Sequence, residues 1–140
     1  MLSLILQAAE NFCIHQIRES HETQECIPKK RTLIAYLDIE VHSGEKYRTY
    51  VGCDEILLQC ITEIFLGEET SDTETLRDML LETTNMIVGS AKVLSGESCI
   101  HSFTISTPHY MSDDVSTIAF DECSTLCVAG GEMLIAFKGL

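Results

Sequence analysis

The hydrophobic residues of this chain change their period within its first half, and that change limits the fold more than any other feature. Leu33, Ala35, Leu37, Ile39 and Val41 alternate with other residues across 32–42, the period of two of a half-buried strand. Ser43-Gly44-Glu45 supplies a turn, and 46–52 returns as a second strand, so the two form a hairpin. Over 54–66 the spacing switches to that of a helix, with Ile56, Leu57, Cys60, Ile61, Ile64 and Phe65 on one side and Gly67 placed to cap the end. A strand pair followed at once by an amphipathic helix, without a regular βαβ rhythm, predicts an α+β fold.

The rest of the chain fits that class. Residues 2–19 read as a helix, with Leu2, Ile5, Leu6, Ala9, Phe12, Cys13 and Ile17 at three- and four-residue steps. Residues 20–30 are a polar connection containing Pro28. Ser71-Asp72-Thr73-Glu74 has capping-box spacing and opens a third helix that runs to about Leu94, with Gly96 just past its end. Residues 99–107 are rich in β-formers and stop at Pro108, and 115–122 read as another strand. Strands at about 124–129 and 132–138 flank Gly130-Gly131, a hairpin signal. At 140 residues the chain fits one domain, 1–140.

Charge and cysteine usage narrow the function classes. The net charge of −13, from 22 acidic and 9 basic side chains, disfavours nucleic acid and anionic membrane as partners. Seven cysteines, an odd number, with no secretory signal, predict reduced thiols and a cytoplasmic protein. No stretch of about 20 apolar residues suggests a membrane span. No cysteine has an arginine six positions on, so the Cys-x5-Arg phosphatase loop is missing, and so is a Gly-x4-Gly-Lys-Ser/Thr nucleotide loop. Cys123-x3-Cys127 has room for two neighbouring thiols, but no second Cys/His pair completes a zinc set, so no metal site is predicted. His15, His21, His101 and His109 are scattered and read as packed or solvated.

The third helix carries the candidate chemistry. At about 100° per residue, Leu76, Met79, Leu80, Thr83, Ile87, Ala91 and Leu94 fall on a core-facing side. Asp78, Glu82, Asn85 and Gly89 fall nearly opposite, and the first three lie within about 60° of one another. Acids and amides on a solvated helix face are also what an ordinary helix shows.

The string from Glu82 to Lys92 (ETTNMIVGSAK) resembles the signature helix of the CheC/CheX/FliY chemotaxis phosphatases. In that family an Asp or Ser precedes the Glu by four, an Asn follows it by three, and a Pro comes after 22 intervening residues; Asp78, Glu82, Asn85 and Pro108 meet all three spacings. Asn11 and Asn85 are the sole asparagines, so one Glu-x-x-Asn motif exists, which is similar to the CheX type. Thr83 and Thr84 stand where the family is often more apolar, and Ser90 where an Asn is expected.

The resemblance implies a CheC-like fold, an antiparallel or mixed sheet with two long helices packed on it. It implies a phosphatase that hydrolyses the aspartyl-phosphate of a CheY-like response regulator in chemotaxis, a two-component pathway. Glu82 and Asn85 would be catalytic: Asn85 orients the attacking water and Glu82 docks on the regulator's active-site lysine. Asp78, Gly89 and Pro108 would contact the partner. The chain would need no cofactor of its own, Mg2+ sitting on the phosphorylated regulator, and it would form a homodimer. The alternative is a non-catalytic CheX-like adaptor that binds a signalling or flagellar-motor protein.

Overall fold

A computed structural model describes residues 2–24, 27–98 and 103–140, with only the backbone for 96–98. Helix α1 (Leu2–Phe12) buries Ile5, Ala8, Ala9 and Phe12. It continues as a wider π-type turn, Cys13–Ile17, and stops where Arg18 takes a left-handed conformation (φ 61°) and donates its N–H to Cys13 O. The expected helix over 2–19 thus loosens after Phe12.

The polar connection contains a short strand that its composition does not announce. β1 (His21–Gln24) pairs antiparallel with the strand β6 (Glu122–Val128). Its order comes from hydrogen bonds to a segment about a hundred residues away, not from an apolar face of its own. His21 lies 3.6 Å from the Glu10 carboxylate of α1.

β2 (Leu33–Val41) and β3 (Lys46–Cys53) form the expected hairpin. Leu33, Ala35, Leu37 and Ile39 all face the main core. α2 (Glu55–Leu66) starts where the Asp54 carboxylate accepts the Leu57 N–H at 2.9 Å, and it ends at Gly67 (φ 71°), as the spacing predicts.

α3 (Thr73–Ser98) has 26 residues. Its cap is Asp72, whose carboxylate accepts the Thr75 N–H at 2.8 Å and is held below the usual range by that bond. The capping-box spacing placed the cap at Ser71, but Ser71 is engaged elsewhere: its N–H donates to Gln59 and its hydroxyl to Glu68. At the other end the helix runs through Gly96 to Ser98, four residues beyond the expected stop at Leu94.

β4 (Phe103–Ile105) and β5 (His109–Ser112) follow, both antiparallel to β2. Residues 99–102, with His101 and Cys99, lie outside the described residues, as does Cys26. β5 falls beyond Pro108, where the sequence reading ended the strand. The expected strand over 115–122 is instead a tight 3-10 turn, Val115–Thr117, and an apolar cover. The Asp114 carboxylate accepts the Ser116 N–H at 2.9 Å, which bends the chain, and Val115, Ile118 and Phe120 pack on Ile34, Tyr50, Leu134 and Ala136.

β6 and β7 (Gly131–Gly139) close the chain as a hairpin whose turn is Ala129 (φ 53°) and Gly130 (φ 77°). The turn is one residue earlier than Gly130-Gly131, because Gly131 already pairs with Val128. Among the described residues the sheet has seven strands in the order β1-β6-β7-β3-β2-β4, with β5 also on β2, and every pairing is antiparallel. All three helices contribute to the main core against one face of the sheet. The 115–120 segment covers part of the other, so β7 is buried along 131–137.

Candidate functional site

The rotation of α3 is fixed by what it buries. Leu76, Met79, Leu80, Thr83, Thr84, Ile87, Val88 and Ala91 all face inward. Asp78, Glu82 and Asn85 are exposed and Gly89 is half-buried, on the opposite ridge, as the helical wheel predicts. The Arg77 guanidinium lies 4.4 Å from the centre of the Tyr110 ring, which ties the first half of α3 to β5.

The facing wall comes from the break between β4 and β5. Pro108 has no N–H to give to β2, so the ladder is interrupted there. The chain stays anchored at Ser106, whose N–H donates to Asp38 O at 2.9 Å and whose hydroxyl accepts the Asp38 N–H at 2.8 Å. Asp38 is in turn held by a two-point ion pair with Arg48, at 2.7 and 3.1 Å. That pairing, foremost the hydrogen bond, raises the Arg48 pKa further.

Between ridge and wall lies an open cleft of about 460 Å3 lined by Leu81, Glu82, Asn85, Ile105, Ser106, Thr107 and Pro108. The structure therefore brings Glu82, Asn85 and Pro108 into one cleft. Asp78 and Gly89 do not line it; they occupy the same ridge about one turn to either side. Ser106 and Thr107 were not singled out from the sequence, though their adjacency to Pro108 was the available signal. A carboxylate and a carboxamide facing an open cleft can together hold a cation and orient a water molecule.

The larger cavity, about 760 Å3, opens elsewhere, beside β1 and the β6–β7 hairpin, and holds none of these residues. Cys123 and Cys127 both sit on β6, where four residues span about 13 Å, so the thiol spacing that suggested a neighbouring pair separates them instead. No helix of the described residues is long and apolar enough to cross a membrane.

The family model for the chemotaxis phosphatase CheX matches residues 39–129, which include both walls of the cleft. The chain belongs to the CheX family. Its CheX-type fold is shared with a CheC-like protein from Shewanella oneidensis MR-1, at a TM-score of 0.75 and 19% identity over 97% of this chain and 96% of that one. CheX from Vibrio vulnificus is similar at a TM-score of 0.73 and 22% identity, covering 97% and 95% of the two chains. A chain of the CheX-CheY-BeF3-Mg2+ complex from Borrelia burgdorferi is similar at a TM-score of 0.71 and 13% identity, covering 98% and 97%. At these identities the likeness is one of fold. No curated protein sequence matches the chain.

Proposed function

We propose that this CheX-family chain is a phosphatase that hydrolyses the aspartyl-phosphate of a CheY-like response regulator in the cytoplasm. The observation that carries the reading is the placement of Glu82 and Asn85 on one exposed ridge, facing the same open cleft as Pro108. The complex of a fold relative with CheY, beryllofluoride and Mg2+ supports the choice of partner.

An aspartyl-phosphate is an activated acyl phosphate, so no protein nucleophile is required. A water attacks phosphorus in line, the bond between phosphorus and the aspartyl oxygen breaks, and inorganic phosphate and a free carboxylate result. The regulator supplies Mg2+ and a lysine to neutralise the phosphoryl oxygens, and this chain supplies no cofactor. Asn85 accepts a hydrogen bond from the water and donates another, which fixes its direction. Glu82 pairs with the regulator's lysine and sets the register of docking. Asp78, about one turn earlier, adds negative charge to the docking ridge.

The test is phosphate release from a CheY-like regulator charged by a small acyl phosphate with Mg2+. Asn85→Ala is expected to slow release by about 10²-fold, on the order of 3 kcal/mol of barrier, without loss of folding. Glu82→Ala is expected chiefly to weaken binding to the phosphorylated regulator. An Asn85→Ala variant that works at the parental rate removes the assignment. A parental protein that binds the regulator without accelerating release is an adaptor.

A further inference from the structure

Gly89 is the only glycine between Asp78 and Val93 on α3, and nothing among the described residues accounts for it. A glycine in a helix interior costs about 0.5–1 kcal/mol relative to alanine, so it needs a compensating reason. Two internal reasons exist, and neither applies. Gly89 is not among the glycines of positive φ, which are Gly44, Gly67 and Gly130. Among the described residues, a Cβ built on Gly89 meets no atom within 4 Å outside its own stretch of helix, so no described neighbouring element demands a bare backbone there. Gly131 shows the contrast: a Cβ there falls 2.6 Å from Asp54 Oδ1 and 2.8 Å from Leu57 Cβ.

The position of Gly89 supplies an external reason. It lies four residues past Asn85 and seven past Glu82, within about 60° of both on the helix and about 6 Å beyond Asn85 along the axis. The carboxamide of Asn85 extends only two bonds past its own Cβ. A partner surface that admits Asn85 must therefore pass close over the next turn. A longer side chain at 89 holds that surface off.

We propose that Gly89 is a positioning residue for the response regulator. Its missing side chain lets the regulator's backbone beside the phosphorylation pocket approach the α3 main chain, so that Asn85 reaches the phosphoryl group. This rests on the function proposed above and adds a determinant of partner choice: a regulator with a bulky group at that point is excluded.

Gly89→Ala and Gly89→Leu test it, with binding measured to a CheY-like regulator held in its active state by beryllofluoride and Mg2+, and turnover measured on the phosphorylated regulator. Gly89→Ala is expected to raise the Tm by about 2–4 °C, since alanine is the better helix former and the space is open. The same variant is expected to bind about 3–10-fold more weakly. Gly89→Leu is expected to remain helical by circular dichroism, to bind the beryllofluoride-held regulator about 30-fold or more weakly, and to raise KM and lower kcat together, because Asn85 is held off the phosphoryl group. A merely structural glycine does not give stability and affinity changes of opposite benefit. Parental binding and KM in Gly89→Leu, alongside a slowed Asn85→Ala, overturn this role and leave the phosphatase reading standing. A lowered Tm in Gly89→Ala reveals an internal reason for the glycine and also overturns it. A parental protein that neither binds nor dephosphorylates the regulator removes both proposals.

Discussion

Thr83 and Thr84 sit side by side on the buried face of α3, and their hydroxyls have different fates. Thr84 donates to the Leu80 carbonyl at 2.8 Å, one turn back. Thr83 Oγ1 is buried with no hydrogen-bond partner among the described residues. A buried hydroxyl that has lost its water and found nothing in exchange destabilises the fold. Thr83→Val keeps the shape and removes the unpaired group, so it is expected to stabilise by about 1 kcal/mol. Urea unfolding should show a higher midpoint at unchanged slope, with turnover as in the parent, because the side chain faces away from the cleft. A lowered midpoint means the hydroxyl has a partner after all. The same residue illustrates what the sequence conveys: the wheel placed Thr83 on the core side, but whether its hydroxyl is satisfied depends on what packs there.

At the scale of elements, the meeting of the β6–β7 hairpin with the start of α2 is a tight junction. Asp54 caps α2 with one carboxylate oxygen and accepts the Glu132 N–H with the other, at 3.2 Å. The Lys30 ammonium lies 3.8 Å away. Burial pushes the Asp54 carboxyl up, against the lowering pull of the Leu57 N–H and Lys30. The Glu132 carboxylate in turn accepts the backbone N–H groups of Lys29 and Lys30. Gly131 leaves no room over this cap: an added methyl also comes within 3.0 Å of the Leu57 backbone nitrogen. Gly131→Ala is therefore expected to cost about 1–3 kcal/mol through overpacking and a displaced cap. Thermal unfolding should show a lower Tm, the opposite sign from Gly89→Ala; an unchanged Tm means the hairpin can shift without penalty. The sequence marked Gly130-Gly131 as a turn. Its two glycines serve separate ends, a left-handed turn at 130 and a close approach at 131, and the second is visible only once α2 is in place.

For the whole molecule, the shared core of helices and sheet makes stability depend on alkaline pH. Cys13 and Cys53 are buried in that core. Burial, with a smaller contribution from Glu10, raises the Cys13 thiol from 9.0 to about 11, and burial pushes Cys53 up as well. A raised thiol pKa means that the folded state holds the proton more tightly than the unfolded one. The contribution is intact below pH 9 and is lost as pH rises through 9 toward 11, on the order of 2 kcal/mol for Cys13. Urea midpoints measured at pH 8 and pH 10.5 are expected to fall, and Cys13→Ala is expected to flatten that slope. An identical slope in the variant means that other groups carry the effect.

The sequence by itself determined the elements whose signal is local. The β2–β3 hairpin, the presence of α2 and its end at Gly67, and the division of α3 into a buried and an exposed face follow from periods of 2 and 3.6, which are written along the chain wherever one side meets a core. The Glu82–Asn85 ridge and the CheX resemblance belong with these. The buried side of α2 is turned from the one read, with Leu58 and Thr62 inside and Ile56, Ile64 and Phe65 exposed. Only the tertiary structure decided β1, β5, the 115–120 cover, the shift of the α3 cap to Asp72 and the meeting of Pro108 with Asn85 across a cleft. His21–Gln24 is a strand because β6 offers it an edge, and the cleft exists because β2 carries both β4 and the break after it opposite α3. Those outcomes depend on surfaces brought together from distant parts of the chain, and no short window of residues contains them.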